Sequence, residues 1–110
     1  MLKDIKLPIH EIEAFCHKWQ INKFALFGSV LRDDFRPDSD IDMMIEFNAQ
    51  AHPTFAGLDQ MENELKLIFN REVDLITRKG IESSQNYIRR NNILSSAQVI
   101  YAARSSVFVW

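Results

Sequence analysis

The sequence has little of the residues that would assign it to several specialised protein classes. Its 110 residues include one cysteine, Cys16, so it forms no internal disulfide and fits a reducing compartment. Three glycines and three prolines are scattered along the chain, which argues against collagen and low-complexity linkers. It lacks an apolar run of about 18 residues, and Met1–Asp4 does not open a secretory signal. We therefore expect a cytoplasmic protein without a membrane segment.

An excess of positive charge is also missing. The 13 Lys and Arg residues are balanced by 15 Asp and Glu residues, for a net charge of -2. A protein that binds nucleic acid through a general basic surface carries a clear positive excess, so direct nucleic-acid binding is not expected. Hydrophobic residues make up 46% of the chain and charged residues 25%, as in ordinary globular proteins. The length corresponds to one domain over residues 1–110.

The spacing of apolar residues predicts a domain that mixes helices and strands. Two strands precede the second helix, which breaks strict βαβ alternation and predicts an α/β (α+β) fold: a mixed four-stranded sheet with helices packed against it. Tyr87, Ile88 and Leu94 are expected to face inward. In order, the predicted elements are a helix from Pro8, strands over 24–27 and 41–47, a helix over about 55–70, a strand over 73–77, a turn at 78–80, a helix over 83–97 and an edge strand over 99–101.

Two aspartates open the second predicted strand. Asp40 and Asp42 stand at positions i and i+2, so both side chains leave the same face of the strand, about 6–7 Å apart. Carboxylates at this separation repel each other, and a divalent cation between them removes the penalty. Taken alone, the pair is explained more simply by a loop that ends at Ser39-Asp40 and by Asp42 facing water.

A Gly-Ser dipeptide follows the first predicted strand and changes this interpretation. Gly28 allows close approach of the backbone to a ligand, and Ser29 offers a hydroxyl and an N–H. Residues 30–32 predict a short helix whose N–H groups would face an anion such as a phosphate. Gly-Ser alone would be a simple turn. The combined pattern G-S-x10-D-x-D arises by chance in roughly one in a thousand sequences of this length, and it places a phosphate cradle beside a carboxylate pair.

A third carboxylate is expected near the first two. A two-metal phosphoryl-transfer site needs another carboxylate to hold the second metal and to accept the proton of the attacking hydroxyl. Asp74 lies within the apolar strand 73–77, where a lone Asp is costly unless it is paired or metal-bound. The alternative is a partly exposed Asp74 paired with Arg71 or Arg78.

These residues resemble a known family. Gly28-Ser29, Asp40-Ile41-Asp42 and Asp74 look like the motif of the minimal nucleotidyltransferase (MNT) family in the DNA-polymerase-β-like superfamily. Among its members, the sequence is most similar to MNT antitoxins, which are paired with HEPN-domain ribonuclease toxins. The resemblance implies two Mg²⁺ ions on the three aspartates, with ATP phosphates at Gly28-Ser29. It also implies transfer of AMP from ATP to a toxin hydroxyl, that of a tyrosine, with release of pyrophosphate.

The remaining charged and polar candidates are weaker. Arg32 and Ser39 are further candidates for phosphate binding, although Arg32 could equally pair with Asp33 or Asp34. The basic pairs 78–79 and 89–90 could touch the triphosphate or a partner, but they are expected on a solvated face. Cys16 is expected in the core. Two other functions stay open: an antitoxin that inhibits by binding alone, and a nucleotidyltransferase that modifies a small molecule such as an aminoglycoside.

Overall fold

Helices flank both faces of a four-stranded sheet. The computed structural model describes residues 7–31 and 40–103. In this part of the chain the elements are α1 (Ile9–Lys18), β1 (Ile21–Phe27), a 3₁₀ turn (Gly28–Leu31), β2 (Ile41–Phe47), α2 (Phe55–Phe69), β3 (Val73–Thr77), α3 (Arg78–Glu82), α4 (Tyr87–Ser96) and β4 (Gln98–Ala102). None of the helices in these residues is long and apolar enough to cross a membrane.

The sheet is mixed, as predicted. Its strand order is β3-β2-β1-β4. β1 runs antiparallel to both of its neighbours, β2 and β4. β2 and β3 are parallel, because α2 connects them as a crossover and returns the chain to the same end of the sheet. The amino ends of β2 and β3 therefore lie side by side.

The alternation of side chains along the strands divides the core into two clusters. The larger cluster packs α1 and α2 on one face, and its members include Ile12, Phe15, Phe24, Leu26, Ile41, Met43, Met61 and Leu65. The smaller cluster packs α3 and α4 on the other face, and it consists of Ala25, Phe27, Met44, Ile81 and Ile93. Even-numbered positions of β2 thus face α3 and α4, and odd-numbered positions face α1 and α2.

The region after β3 differs from its prediction. The expected turn at 78–80 is the start of α3, because the Thr77 hydroxyl caps this helix by accepting from the Gly80 N–H at 3.0 Å. The helix predicted over 83–97 begins only at Tyr87. The inward placement of Tyr87 and Ile88 is wrong, since they are 63% and 70% exposed. Ile93 is buried instead, and Leu94 packs partly against the smaller cluster.

A polar contact joins the end of α1 to α2. The Glu64 carboxylate accepts hydrogen bonds from Lys18 Nζ at 2.8 Å and from the Trp19 indole at 3.1 Å. Desolvation acts to raise the pKa of Glu64, but the hydrogen bonds from Lys18 and Trp19 outweigh it, and the pKa lies below its ordinary value of 4.5. The charged form of Glu64 is therefore stabilised by folding.

We expect Glu64→Gln to lower the free energy of unfolding by about 1 kcal/mol at neutral pH. The folded-state pKa is depressed, so this stabilisation is complete above pH 4.5 and is lost as the pH falls through the folded-state pKa. Urea unfolding of the variant and the wild type should therefore converge in acid. Glu62→Gln is the control, because its exposed carboxylate pairs with Lys66, one turn away on the same helix. A stability difference for Glu64→Gln that does not change with pH would contradict this assignment.

Candidate active site

The parallel pairing of β2 and β3 brings two of the predicted catalytic aspartates side by side. Asp42 pairs in register with Asp74, and in-register residues of neighbouring strands point to the same face with backbones about 4.8 Å apart. Both positions alternate with residues of the larger core cluster, so they lie on the face that α3 and α4 cover. Asp40 directly precedes β2, and the alternation places it on the same face as Asp42. The backbone therefore brings all three aspartates to one end of one face.

The Asp42 carboxylate packs directly against Gly28. Asp42 is opposite Phe27 in the antiparallel pairing of β1 and β2, and Gly28 follows with a φ of +76°. A side chain at Gly28 would collide with a carboxylate oxygen of Asp42 and come within 3.1 Å of its Cγ. The sequence predicted that Gly28 allows a close approach by a ligand. In the structure, the group that lies close to the Gly28 backbone is the Asp42 carboxylate.

The predicted phosphate-binding segment is described only in part. The expected short helix is a 3₁₀ turn over Gly28–Leu31, and fully buried Val30 anchors it in the larger core cluster. The backbone of Ser29 belongs to this turn, and the Ser29 side chain lies outside the described part of the structure. Arg32 and Ser39 lie outside it as well.

The three aspartates differ in exposure. Asp40 and Asp74 are exposed, and Asp42 is partly buried. Within residues 7–31 and 40–103, no ion pair joins Asp74 to Arg71 or Arg78. Arg78 pairs instead with Glu82, at 3.4 Å. The alternative interpretation of Asp74 as a partner of these arginines is therefore not supported.

The donor set fits a hard divalent cation, but the side chains do not form a preassembled cage. Carboxylate oxygens are ligands that Mg²⁺ accepts, and three of them are placed on one face, with Asp42 held against Gly28. Among the described residues, however, no three His, Cys, Asp or Glu side chains are grouped closely enough to hold a metal ion. Convergence on a cation would need new rotamers, which an exposed side chain such as Asp74 adopts at low cost.

A cavity of about 270 Å³ opens beside Asp42, between the sheet and α4. The sheet contributes Phe27, Gly28 and Asp42, whereas α4 contributes Arg89, Asn92, Ile93 and Ser96. The sequence indicated contact of 89–90 with a triphosphate only as the alternative to a solvated face, and it did not single out Asn92 or Ser96. The spacing of the polar residues at i, i+3 and i+7 is a signal that they share one helical face.

A larger cavity, of about 490 Å³, lies at the opposite end of the same strands. Its lining includes Phe47 and Thr77, the last residues of β2 and β3. The aspartates are at the amino ends of these strands, so this cavity is separate from the candidate active site.

Cys16 can be excluded as a nucleophile of this site. Its side chain is buried in the larger core cluster, on the other face of the sheet. Burial and, to a smaller extent, the Glu13 carboxylate raise the pKa of Cys16 to about 12. The thiol is thus protonated and unreactive at neutral pH, which confirms its predicted place in the core.

Comparison with known proteins decides the family. The nucleotidyltransferase domain family matches residues 12–100. The chain belongs to this family. The nucleotidyltransferase is 35% identical over 74 residues to MJ1379 of Methanocaldococcus jannaschii, a candidate protein adenylyltransferase, with 67% of this chain and 72% of that one covered. It is 26% identical over 85 residues to the protein adenylyltransferase MntA of Thermococcus cleftensis, with 70% and 84% covered. The chain is thus an enzyme of the transferase class.

Solved structures confirm the fold of the nucleotidyltransferase. A toxin–antitoxin complex with AMP-PNP superposes with a TM-score of 0.66 and 16% identity, covering 89% of this chain and 76% of that one. A candidate minimal nucleotidyltransferase superposes with a TM-score of 0.62 and 22% identity, covering 81% and 85%. The α/β architecture predicted from the sequence is therefore the fold of minimal nucleotidyltransferases.

Proposed function

We propose that the nucleotidyltransferase is a Mg²⁺-dependent protein adenylyltransferase that acts as an antitoxin. As a minimal domain over residues 1–110, it transfers AMP from ATP to a hydroxyl, that of a tyrosine, of a HEPN-domain ribonuclease toxin and thereby neutralises the toxin. The observation that carries the proposal is the in-register pairing of Asp42 with Asp74 beside Gly28. The protein adenylyltransferases among its relatives and the toxin–antitoxin complex with the same fold support it.

Asp40, Asp42 and Asp74 would hold two Mg²⁺ ions. When bound there, these ions would neutralise the triphosphate and lower the pKa of the acceptor hydroxyl. Close packing against Gly28 limits the space open to the Asp42 carboxylate, which favours a defined geometry at the α-phosphate. The N–H groups at the start of the turn Gly28–Leu31 would hold phosphate oxygens.

In this proposal, Asp74 receives the acceptor. It is exposed, and its strand β3 forms one edge of the sheet in the described residues, so a side chain of another protein can reach it. In the reaction the acceptor oxygen forms a bond to the α-phosphorus, the bond to pyrophosphate breaks, and Asp74 accepts the hydroxyl proton. The net charge of -2 favours a protein acceptor over a nucleic acid.

Label transfer tests this function directly. The purified chain is incubated with Mg²⁺, ATP labelled at the α-phosphate and the HEPN-domain protein encoded beside its gene. We expect label on a tyrosine of the HEPN protein and loss of its ribonuclease activity. ATP labelled at the γ-phosphate should give none, because AMP transfer releases that phosphate with the pyrophosphate. Absence of α-label with a folded chain, or consumption of ATP with an aminoglycoside instead, would contradict the proposal.

Inhibition of the toxin by binding alone is the second function to be tested. The two functions differ in what they require of Asp42. A binding antitoxin neutralises its toxin without this carboxylate, whereas a catalytic one does not.

A further inference from the structure

Helix α4 contributes the positively charged Arg89 to the lining of the cavity beside Asp42. Ile93 is 6% exposed and anchors α4 in the smaller core cluster. The Asn86 side chain caps the helix by accepting from the Arg89 N–H at 3.2 Å. These contacts fix the rotation of α4 about its axis, so that Arg89 lines the cavity opposite Gly28 and Asp42.

The Arg89 guanidinium is not used by the fold. It is exposed, and within residues 7–31 and 40–103 no carboxylate forms an ion pair with it. The adjacent Arg90 is different, since its Nη1 donates to the backbone carbonyls of Glu82 at 3.4 Å and of Ser84 at 3.3 Å. Arg90 thus connects α4 to the segment at the end of α3, whereas Arg89 is available to a ligand.

The strand order indicates which part of the nucleotide would meet Arg89. Asp74 on β3 lies on one side of Asp42, and the cavity lies toward β1 on the other side, lined by Phe27 and Gly28. In phosphoryl transfer the attacking and leaving oxygens are roughly in line, on opposite sides of the reacting phosphorus. With the acceptor at Asp74 and the α-phosphate at Asp42, the leaving pyrophosphate lies in the cavity with Arg89.

We propose that Arg89 binds the β- and γ-phosphates of ATP and the pyrophosphate that leaves. This inference rests on the proposed function. A guanidinium donates two parallel hydrogen bonds to phosphate oxygens, and it offsets the negative charge that develops on pyrophosphate as its bond to the α-phosphorus breaks. Arg89 is thus a specificity residue for nucleoside triphosphates over monophosphates.

Calorimetric titration of the chain with ATP, pyrophosphate and AMP, each with Mg²⁺, tests the assignment. We expect Arg89→Ala to weaken the binding of ATP and pyrophosphate about 10- to 100-fold, and to leave AMP binding within about twofold. Arg89→Lys should recover part of the loss, since it keeps the charge but not the planar fork. Arg90→Ala is the matched control and should affect the three ligands equally, because Arg90 contacts the backbone at Glu82 and Ser84.

The outcomes separate this inference from the function on which it rests. If the wild type binds ATP and Arg89→Ala binds it equally well, the role of Arg89 is wrong and the proposed function is unaffected. An equal loss of AMP and pyrophosphate binding would show that Arg89 supports structure only. If the wild-type chain, folded by circular dichroism, does not bind ATP with Mg²⁺, both proposals are wrong.

Discussion

Replacing Asp42 with Asn is expected to lower the rate of AMP transfer by at least about 10²- to 10³-fold while the fold is kept. Asn has the same shape and fits the contact with Gly28, but it lacks the negative charge that would bind Mg²⁺. The stability should change much less than the rate, because Asn keeps the shape of the side chain and repulsion among three carboxylates on one face falls. This variant therefore separates chemistry from folding.

Two measurements check the Asp42 prediction. Initial rates with α-labelled ATP and the HEPN protein give the loss in kcat/KM, and thermal unfolding gives the stability. Asp59→Asn is the control, because Asp59 is an exposed acid on α2, which packs on the opposite face of the sheet. Expression of Asp42→Asn beside the toxin in cells adds the functional readout. If the variant still protects the cells, inhibition by binding alone is the correct function.

Replacing Gly28 with Ala is expected to impair both activity and stability. The φ of +76° costs an alanine about 1–2 kcal/mol, and the added methyl group would displace the Asp42 carboxylate. A displacement of about 1 Å at a reacting centre lowers the rate about 10²-fold. We therefore expect a loss of transfer similar in scale to that of Asp42→Asn, now accompanied by a lower unfolding midpoint.

Gly57→Ala provides the comparison for Gly28→Ala. Gly57 lies in the first turn of α2, where an added Cβ would stand 3.2 Å from the Thr54 hydroxyl oxygen. Alanine is a better helix former than glycine, so the change in stability should stay within about 1 kcal/mol and the activity should be normal. Full activity of Gly28→Ala would mean that the position of the Asp42 carboxylate does not matter for the reaction.

The parts of the fold that the sequence predicted best are those with strong local patterns. The bounds of β2 and β3 match the predicted strands at 41–47 and 73–77, because both segments consist mostly of apolar residues and few charged residues interrupt them. β1 starts at Ile21 rather than at residue 24, since polar side chains such as the 3% exposed Lys23 concealed its beginning. The last helix was predicted to start too early because Asn86 caps it. Its inward face was misassigned because the apolar Tyr87 and Ile88 in its first turn are exposed.

For the site, the sequence alone determined which residues share a face. Asp40 and Asp42 share a face because they stand at i and i+2 of an extended segment, and this alternation holds in every strand. The Gly-Ser turn before them is likewise a local feature of the sequence. Which elements become neighbours depends on pairing between distant segments. Only the tertiary structure therefore decided that Asp74 stands in register with Asp42, that Gly28 packs against its carboxylate, and that Arg89 faces both across a cavity.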